Sequence, residues 1–179
     1  MTEILIAVTT WLSALVTPIP LNEQDVYCLT RNAYYEAKGD SQMSQIAVTH
    51  VVLNRMNTDG FPKKACEVVY QKNKNPHNES GVTCQFSWTC DRRLMGMLPE
   101  KEKSGWGESL RAVQEALAMY YHRRVDVTQG ATYYHATYVN PGWRGVEKVT
   151  TIGSHIYYRT REKCQNNQKE CSQKSHSRI

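Results

Sequence analysis

The chain has 179 residues, with 22 Lys and Arg against 17 Asp and Glu, for a formal net charge of +5. That length suits one domain able to bury a useful core. Beyond the first twenty residues there is no repeat, low-complexity block or long apolar span, which sets aside solenoids, extended linkers and multi-pass membrane bundles.

In chain order, Ile4 to Val16 is an apolar run closed by Thr17-Pro18-Ile19-Pro20. It is short for a membrane span and its flank holds Glu3 with no Lys or Arg, so a cleaved signal, a membrane tether and a docked helix all fit, with export in one of the first two forms expected. A first helix is predicted from about Asn22 to Ala37, stopped at Gly39. A second follows from about Ser41 to Asn57, with Asp40 or Ser41 as its N-cap. Ile46, Ala47, Val48, Val51, Val52 and Leu53 leave the second helix almost no polar face, so it should be the buried spine against which the first packs. A short helix is expected over Ala65 to Gln71, then a polar loop rich in Asn and Lys that ends at Cys84 to Cys90. Gly107 to His122 carries Leu110, Val113 and Leu117 at helical spacing. Thr132 to Val139, Val146 to Ile152 and His155 to Arg159 are β-branched or aromatic strand candidates, with Asn140-Pro141-Gly142 as a turn. Helices first and a small antiparallel sheet last give an α+β domain.

Glu36 is the best candidate for chemistry. It lies seven residues after Leu29 on the first helix, so its carboxyl group leans toward the buried side. Desolvation raises the pKa of an acid, and a carboxyl that stays protonated near neutral pH can act as a general acid. The competing reading is a solvated Glu, or one paired with a nearby cation. Later in the chain, Gln85, Ser87, Trp88, Tyr134, His135, Tyr138 and Trp143 combine aromatic faces with amide and hydroxyl groups, the chemistry that suits sugar rings. Each of those aromatics could instead pack in the core, as Phe86 is expected to do. Arg55 either pairs with an acid or reaches a carboxylate of a ligand. His135 and His155 lack any metal-binding motif such as HExxH, so structural hydrogen bonding is their expected role, and no metal or cofactor is expected.

The six cysteines, Cys28, Cys66, Cys84, Cys90, Cys164 and Cys171, are even in number and lack paired zinc-ribbon spacing. Disulfides in an oxidising compartment are the better reading, with Cys84–Cys90 and Cys164–Cys171 as local loops. Much of the positive excess lies in Arg159, Arg161, Lys163, Lys169, Lys174 and Arg178. Such a tail suits weak steering toward an anionic polymer, or simple solvation, rather than specific nucleic-acid binding.

Three ordered blocks carry a family resemblance. Tyr34-Tyr35-Glu36-Ala37-Lys38-Gly39-Asp40 leading into Val51-Val52-Leu53-Asn54-Arg55 resembles the helical hairpin of the SleB-like cell wall hydrolases. Cys84-Gln85-Phe86-Ser87-Trp88-Thr89-Cys90-Asp91 is similar to that family's central loop. Gly130 to Pro141, through Ile152-Gly153-Ser154-His155-Ile156-Tyr157-Tyr158, is similar to its C-terminal hairpin. Lys38, Asp40 and Ser44 stand where the family pattern has Arg, Glu and Gly. The resemblance covers roughly residues 24 to 160. It implies a lysozyme-like arrangement with Glu36 at a groove and peptidoglycan glycan strands as substrate. The likeliest activity by resemblance is a lytic transglycosylase, exported to the periplasm or cell wall, or phage-encoded and acting in a host periplasm. The expected organisation is an apolar segment over 1–23, with transient membrane contact, a catalytic domain over 24–160 and a basic tail over 161–179, in a monomer. An ordinary glycosidase needs two carboxylates. Asp91 is the only candidate for the second, and capping a helix or pairing with Arg92 or Arg93 competes with that role. Three rival readings remain: a muramidase that uses water and a second carboxylate, a catalytically silent peptidoglycan-binding or virion structural protein, and, weakest because the even cysteine set reads better as disulfides, a Cys nucleophile paired with His.

Overall fold

The computed structural model describes residues 20–75 and 81–161; the apolar segment before Pro20, the tail beyond Arg161 and the Cys164–Cys171 pairing lie outside them. Helix α1 spans Glu23–Ala37 and begins with a capping box: the Asn22 side chain accepts from the Asp25 amide at 2.8 Å, and the Asp25 carboxylate accepts from the Asn22 amide at 3.4 Å. Its end is set at Gly39, whose φ of 88° lies in the left-handed region that glycine enters at no steric cost. Helix α2 spans Gln42–Met56, with Ser41 as N-cap; every residue from Ser44 to Met56 is buried. The predicted spine is therefore present, with both ends within a residue of expectation.

Short helix α3 (Ala65–Val69) packs on α1 and α2. The Asn- and Lys-rich stretch expected as a loop holds a small antiparallel hairpin, β1 (Lys72–Lys74) with β2 (Val82–Cys84). A 3-10 turn over Ser87–Cys90 and short helix α4 (Arg92–Gly96) follow. Arg31, buried in α1, fastens this region: its guanidinium donates to the carbonyls of Met95 at 2.7 Å and Met97 at 3.2 Å. Helix α5 spans Lys103–Leu117, four residues earlier at its start than predicted, and its last turn widens into a π-helical turn over Ala118–His122.

The final sheet has strand order β3–β5–β4, all antiparallel, from Tyr133–Ala136, His155–Thr160 and Val146–Ile152. β3 is shorter than the predicted Thr132 to Val139, because the Thr137 amide donates to Ser154 and the Val139 amide turns back to Ala136. The register puts Tyr134 beside Tyr157 and Ala136 beside His155 on the inner face. Tyr157 joins Ala47, Val51 and Ala131 in a cluster that glues this face to α2. The main core gathers Leu29, Val52, Leu53, Val68, Phe86 and Val113. Each such side chain contributes about 1.5–3 kcal/mol on burial.

A polar bracket delivers β3 to the front of the molecule. Asn54 of α2 donates to Asp126 at 2.9 Å and to the Ala131 carbonyl at 3.0 Å, while Tyr120 donates to the Asn54 side-chain oxygen at 2.9 Å. The fully buried His50 accepts from the Val127 amide at 3.1 Å. These bonds satisfy polar groups that burial would otherwise leave costly, and they hold the loop that aims Tyr134 at the last turn of α1.

Candidate active site

Glu36, on the last turn of α1, opens into a groove of about 410 Å³ between the helices and the sheet. Tyr134 reaches across from β3 and donates its hydroxyl to Glu36 Oε2 at 2.9 Å. Burial pushes the Glu36 carboxyl above the usual carboxylate range, offset in part by the Tyr134 hydrogen bond and by the positive charge of Arg55. The Tyr134 hydroxyl is itself pushed well up by burial and by the adjoining carboxyl, so it remains a donor.

Arg55 closes α2 and is 3 % exposed. Its Nε donates to the Thr132 carbonyl at 2.7 Å, and its guanidinium lies over Phe86, 5.2 Å from the ring centroid. With the Gln85 amide turned so that its oxygen faces Arg55, that oxygen accepts from both terminal nitrogens at 2.9 and 3.1 Å. Burial lowers the guanidinium to about 10, so Arg55 is a fixed cation at the groove floor at neutral pH. Its bonds go to a backbone carbonyl and an amide, while its field acts on Glu36.

The predicted residues separate into two groups. Gln85, Ser87, Tyr134, His135, Tyr138 and Trp143 line the groove together with Glu36. Tyr138 lies beyond the end of β3 and is 89 % exposed, and Trp143 is 43 % exposed, so both present open rings at the rim. Trp88 is a correction: it is 3 % exposed, stacks on Tyr35 at 4.6 Å, and donates its indole N–H to Asn32 at 3.0 Å. The 3-10 turn rolls that ring into the core, where a sugar cannot reach it. Asp91 is also out of place as a second carboxylate. It caps α4, accepting from the amides of Arg93 at 2.8 Å and Leu94 at 3.2 Å. Glu36 is the only Asp or Glu among the described residues that line the groove.

Several lining residues escaped the candidate set, namely Tyr35, Tyr133 and His155, along with Arg55, whose approach to Glu36 rests on α2 ending beside α1. His155 was read only as a structural hydrogen-bonding residue. It stands edge-on to Tyr134 with ring centroids 5.1 Å apart, and burial lowers its pKa, keeping the imidazole neutral. Strand alternation could have suggested it, since His155 and Tyr157 share the buried face of β5. Among the described residues no group of three His, Cys, Asp or Glu is placed to hold a metal ion.

The arrangement supplies one carboxyl whose pKa burial raises, a buried cation that favours its ionised form, and a cleft of aromatic, amide and hydroxyl surfaces. Such a set of groups is suited to acid–base chemistry.

Known proteins share this framework. The spore cortex-lytic enzyme of Halalkalibacterium halodurans is 27 % identical over 142 residues, covering 78 % of this chain. The chain spans 36 % of that relative's length. The catalytic domain of the Bacillus cereus SleB protein superposes with a TM-score of 0.54 at 24 % identity, covering 80 % of this chain and 95 % of that domain. The catalytic domain of the germination-specific lytic transglycosylase SleB from Bacillus anthracis gives 0.56 at 22 % identity, covering 80 % and 100 %. These two likenesses show the fold, in agreement with the α+β, lysozyme-like arrangement expected. The Cell Wall Hydrolase family pattern matches residues 39–158, beginning just after Glu36 and taking in the groove-lining residues from Arg55 onward, and the chain belongs to that family.

Proposed function

We propose that this chain cleaves peptidoglycan glycan strands between N-acetylmuramic acid and N-acetylglucosamine by lytic transglycosylation, with Glu36 as acid and then base. The observation that carries the proposal is a single carboxyl, raised by burial, in a groove whose described lining holds no second one. Protonated Glu36 gives its proton to the glycosidic oxygen as the C1–O bond breaks, releasing the N-acetylglucosamine side as an alcohol. The resulting carboxylate, stabilised by Tyr134 and Arg55, takes the proton of the muramic C6 hydroxyl, whose oxygen bonds to C1 and closes a 1,6-anhydro ring. Atoms and charge balance, and Glu36 ends protonated again. An intramolecular nucleophile has a high effective concentration, which replaces the second protein carboxylate of ordinary glycosidases. Tyr138 and Trp143 offer ring faces, and Gln85, Ser87 and His135 offer polar atoms, to the strand. A cell-wall substrate would put the working enzyme outside the cytoplasm, an oxidising setting in which the Cys28–Cys66 and Cys84–Cys90 disulfides persist. The lytic transglycosylase named among the structural relatives supports the same reading.

The test is mass spectrometry of the soluble products from purified peptidoglycan. The native chain is expected to release anhydro-muropeptides, and Glu36→Gln, which keeps the side chain's shape but carries no transferable proton, is expected to release at least about a hundredfold less. Reducing muramic ends would replace the proposal with a water-using muramidase. No release by either protein would leave a binding module.

A further inference from the structure

The outer face of the sheet, turned away from α2, carries a second cavity that the proposed chemistry does not use. The β-ladder puts Tyr133, Tyr158, His135 and Ile156 on that face, and Trp143 folds over them from the β3–β4 connection. Between them and the Asn140–Gly142 turn lies a space of about 290 Å³, at the small end of ligand cavities. His135 and Trp143 line this space and the Glu36 groove alike, so the two are continuous around one aromatic edge.

The chemistry of the walls is specific. No Lys, Arg, Asp or Glu is among the described lining residues. Val139, Pro141, Val146 and Ile156 give apolar surface. His135 Nδ1 lies 2.9 Å from the Ala136 carbonyl, which can only accept, so Nδ1 donates there, and Nε2 lies 3.0 Å from the Tyr158 hydroxyl. The His135 and Tyr158 rings also stack, with centroids 5.2 Å apart. The Tyr158 hydroxyl stands on the wall of this space, where its oxygen can accept a hydrogen bond from a ligand. A neutral cavity with an acceptor and an apolar lining suits an amide N–H joined to a methyl group. It does not suit a carboxylate, for which it has no cation.

Resting on the glycan-strand reading above, we infer that this outer cavity is an additional subsite that seats the acetamido group of a sugar beyond the cleavage point. The strand would run from Glu36, past Trp143, to Tyr158. Such a site makes the enzyme prefer longer glycan chains without touching the reacting atoms.

The experiment uses the 179-residue chain carrying Glu36→Gln, titrated with a peptide-free hexamer of N-acetylglucosamine and followed by two-dimensional NMR and calorimetry. Amide signals of Asn140, Gly142 and Val146 should shift together with those of Gln85 and Ser87. Adding Val146→Trp, which fills the cavity from an edge strand, should weaken the hexamer about tenfold while a trimer and the thermal midpoint are little changed. Tyr158→Phe, which keeps the ring but loses the acceptor, should weaken the hexamer by a smaller factor. Shifts confined to Gln85 and Ser87, or equal hexamer binding by the Val146→Trp protein, overturn the outer subsite and leave the groove reading standing. Absence of shifts at either place overturns both. Cavity shifts produced by a free stem tetrapeptide and not by the hexamer overturn the acetamido assignment.

Discussion

At the scale of single residues, the proton on Glu36 is set by three opposing influences: burial raises its pKa, and the Tyr134 hydrogen bond and the Arg55 charge lower it. Removing Tyr134's hydroxyl in Tyr134→Phe deletes one of the lowering influences and leaves burial in place. The folded-state pKa of Glu36 therefore rises further, and the alkaline limb of the kcat/KM profile, which reports loss of the acid's proton, moves to higher pH. At neutral pH kcat should fall roughly tenfold, the low end of what one hydrogen bond to a charged group is worth. An alkaline limb that stays put in a folded Tyr134→Phe protein would show that the groove's proton resides elsewhere. That Glu36 leans inward was legible from its helical spacing after Leu29, while its choice as the acid rested on the family resemblance of the residues around it. The inward turn of Trp88 was not legible. Its neighbours Gln85 and Ser87 do line the groove, and only the turn geometry and Asn32's acceptor, 56 residues away in sequence, draw the indole inward.

Elements show the same division between local and distant causes. The boundaries of α1 and α2 were readable because Asn22, Gly39 and Ser41 are stop and start signals acting over a single turn. The β1–β2 hairpin was missed because Lys72–Lys74 is exposed throughout, with no alternation to announce a strand. The joint between α1 and α2 was also unreadable as a docking point for the sheet. Asp40 accepts from the Ser154 amide at 3.0 Å and hydroxyl at 2.9 Å, and from the Ser41 amide at 2.7 Å, tying that joint to the β4–β5 turn. Gly153 makes the approach possible: its φ is 54°, and an added Cβ would collide with Ser44 and Asp40. The backbone hydrogen bond from Ser154 leads the causes that lower Asp40 to about 2. Because this folded pKa lies below the ordinary value of an aspartate, its stabilisation is complete above about pH 4 and is lost as pH falls through about 2. Asp40→Asn should cost about 1 kcal/mol at neutral pH, a value kept modest by solvent screening at this partly exposed site. The difference from the native chain, followed by denaturant titration across pH, should shrink toward zero near pH 2. A pH-independent difference would assign the loss to packing instead.

For the molecule as a whole, the two disulfides among the described residues do different work. Cys84–Cys90 spans a separation of 6 residues and was visible as a local loop, and it pins the segment that carries Gln85 and Phe86. Cys28–Cys66 spans 38, joining α1 to the start of α3, and no spacing rule singles it out from the other pairings of six cysteines. It exists because packing α3 against α1 brings the two Cα atoms to 5.2 Å. Chain-entropy reasoning makes the longer closure worth about 4 kcal/mol and the shorter about 2 kcal/mol. The pair Cys28→Ala and Cys66→Ala should therefore lower the thermal midpoint by about 10 °C, at about 2–4 °C per kcal/mol for a domain of this size. The pair Cys84→Ala and Cys90→Ala should cost about half as much stability, yet slow glycan release more, because it frees the loop that sets Gln85 against Arg55 and leaves the α1–α3 clamp intact. Calorimetry and peptidoglycan release on both double variants separate the two effects. Equal stability losses, or greater loss of release in the Cys28 and Cys66 variant, would mean that the loop is held by its packing on Tyr35 and Arg31 and that the short bridge adds nothing to the groove.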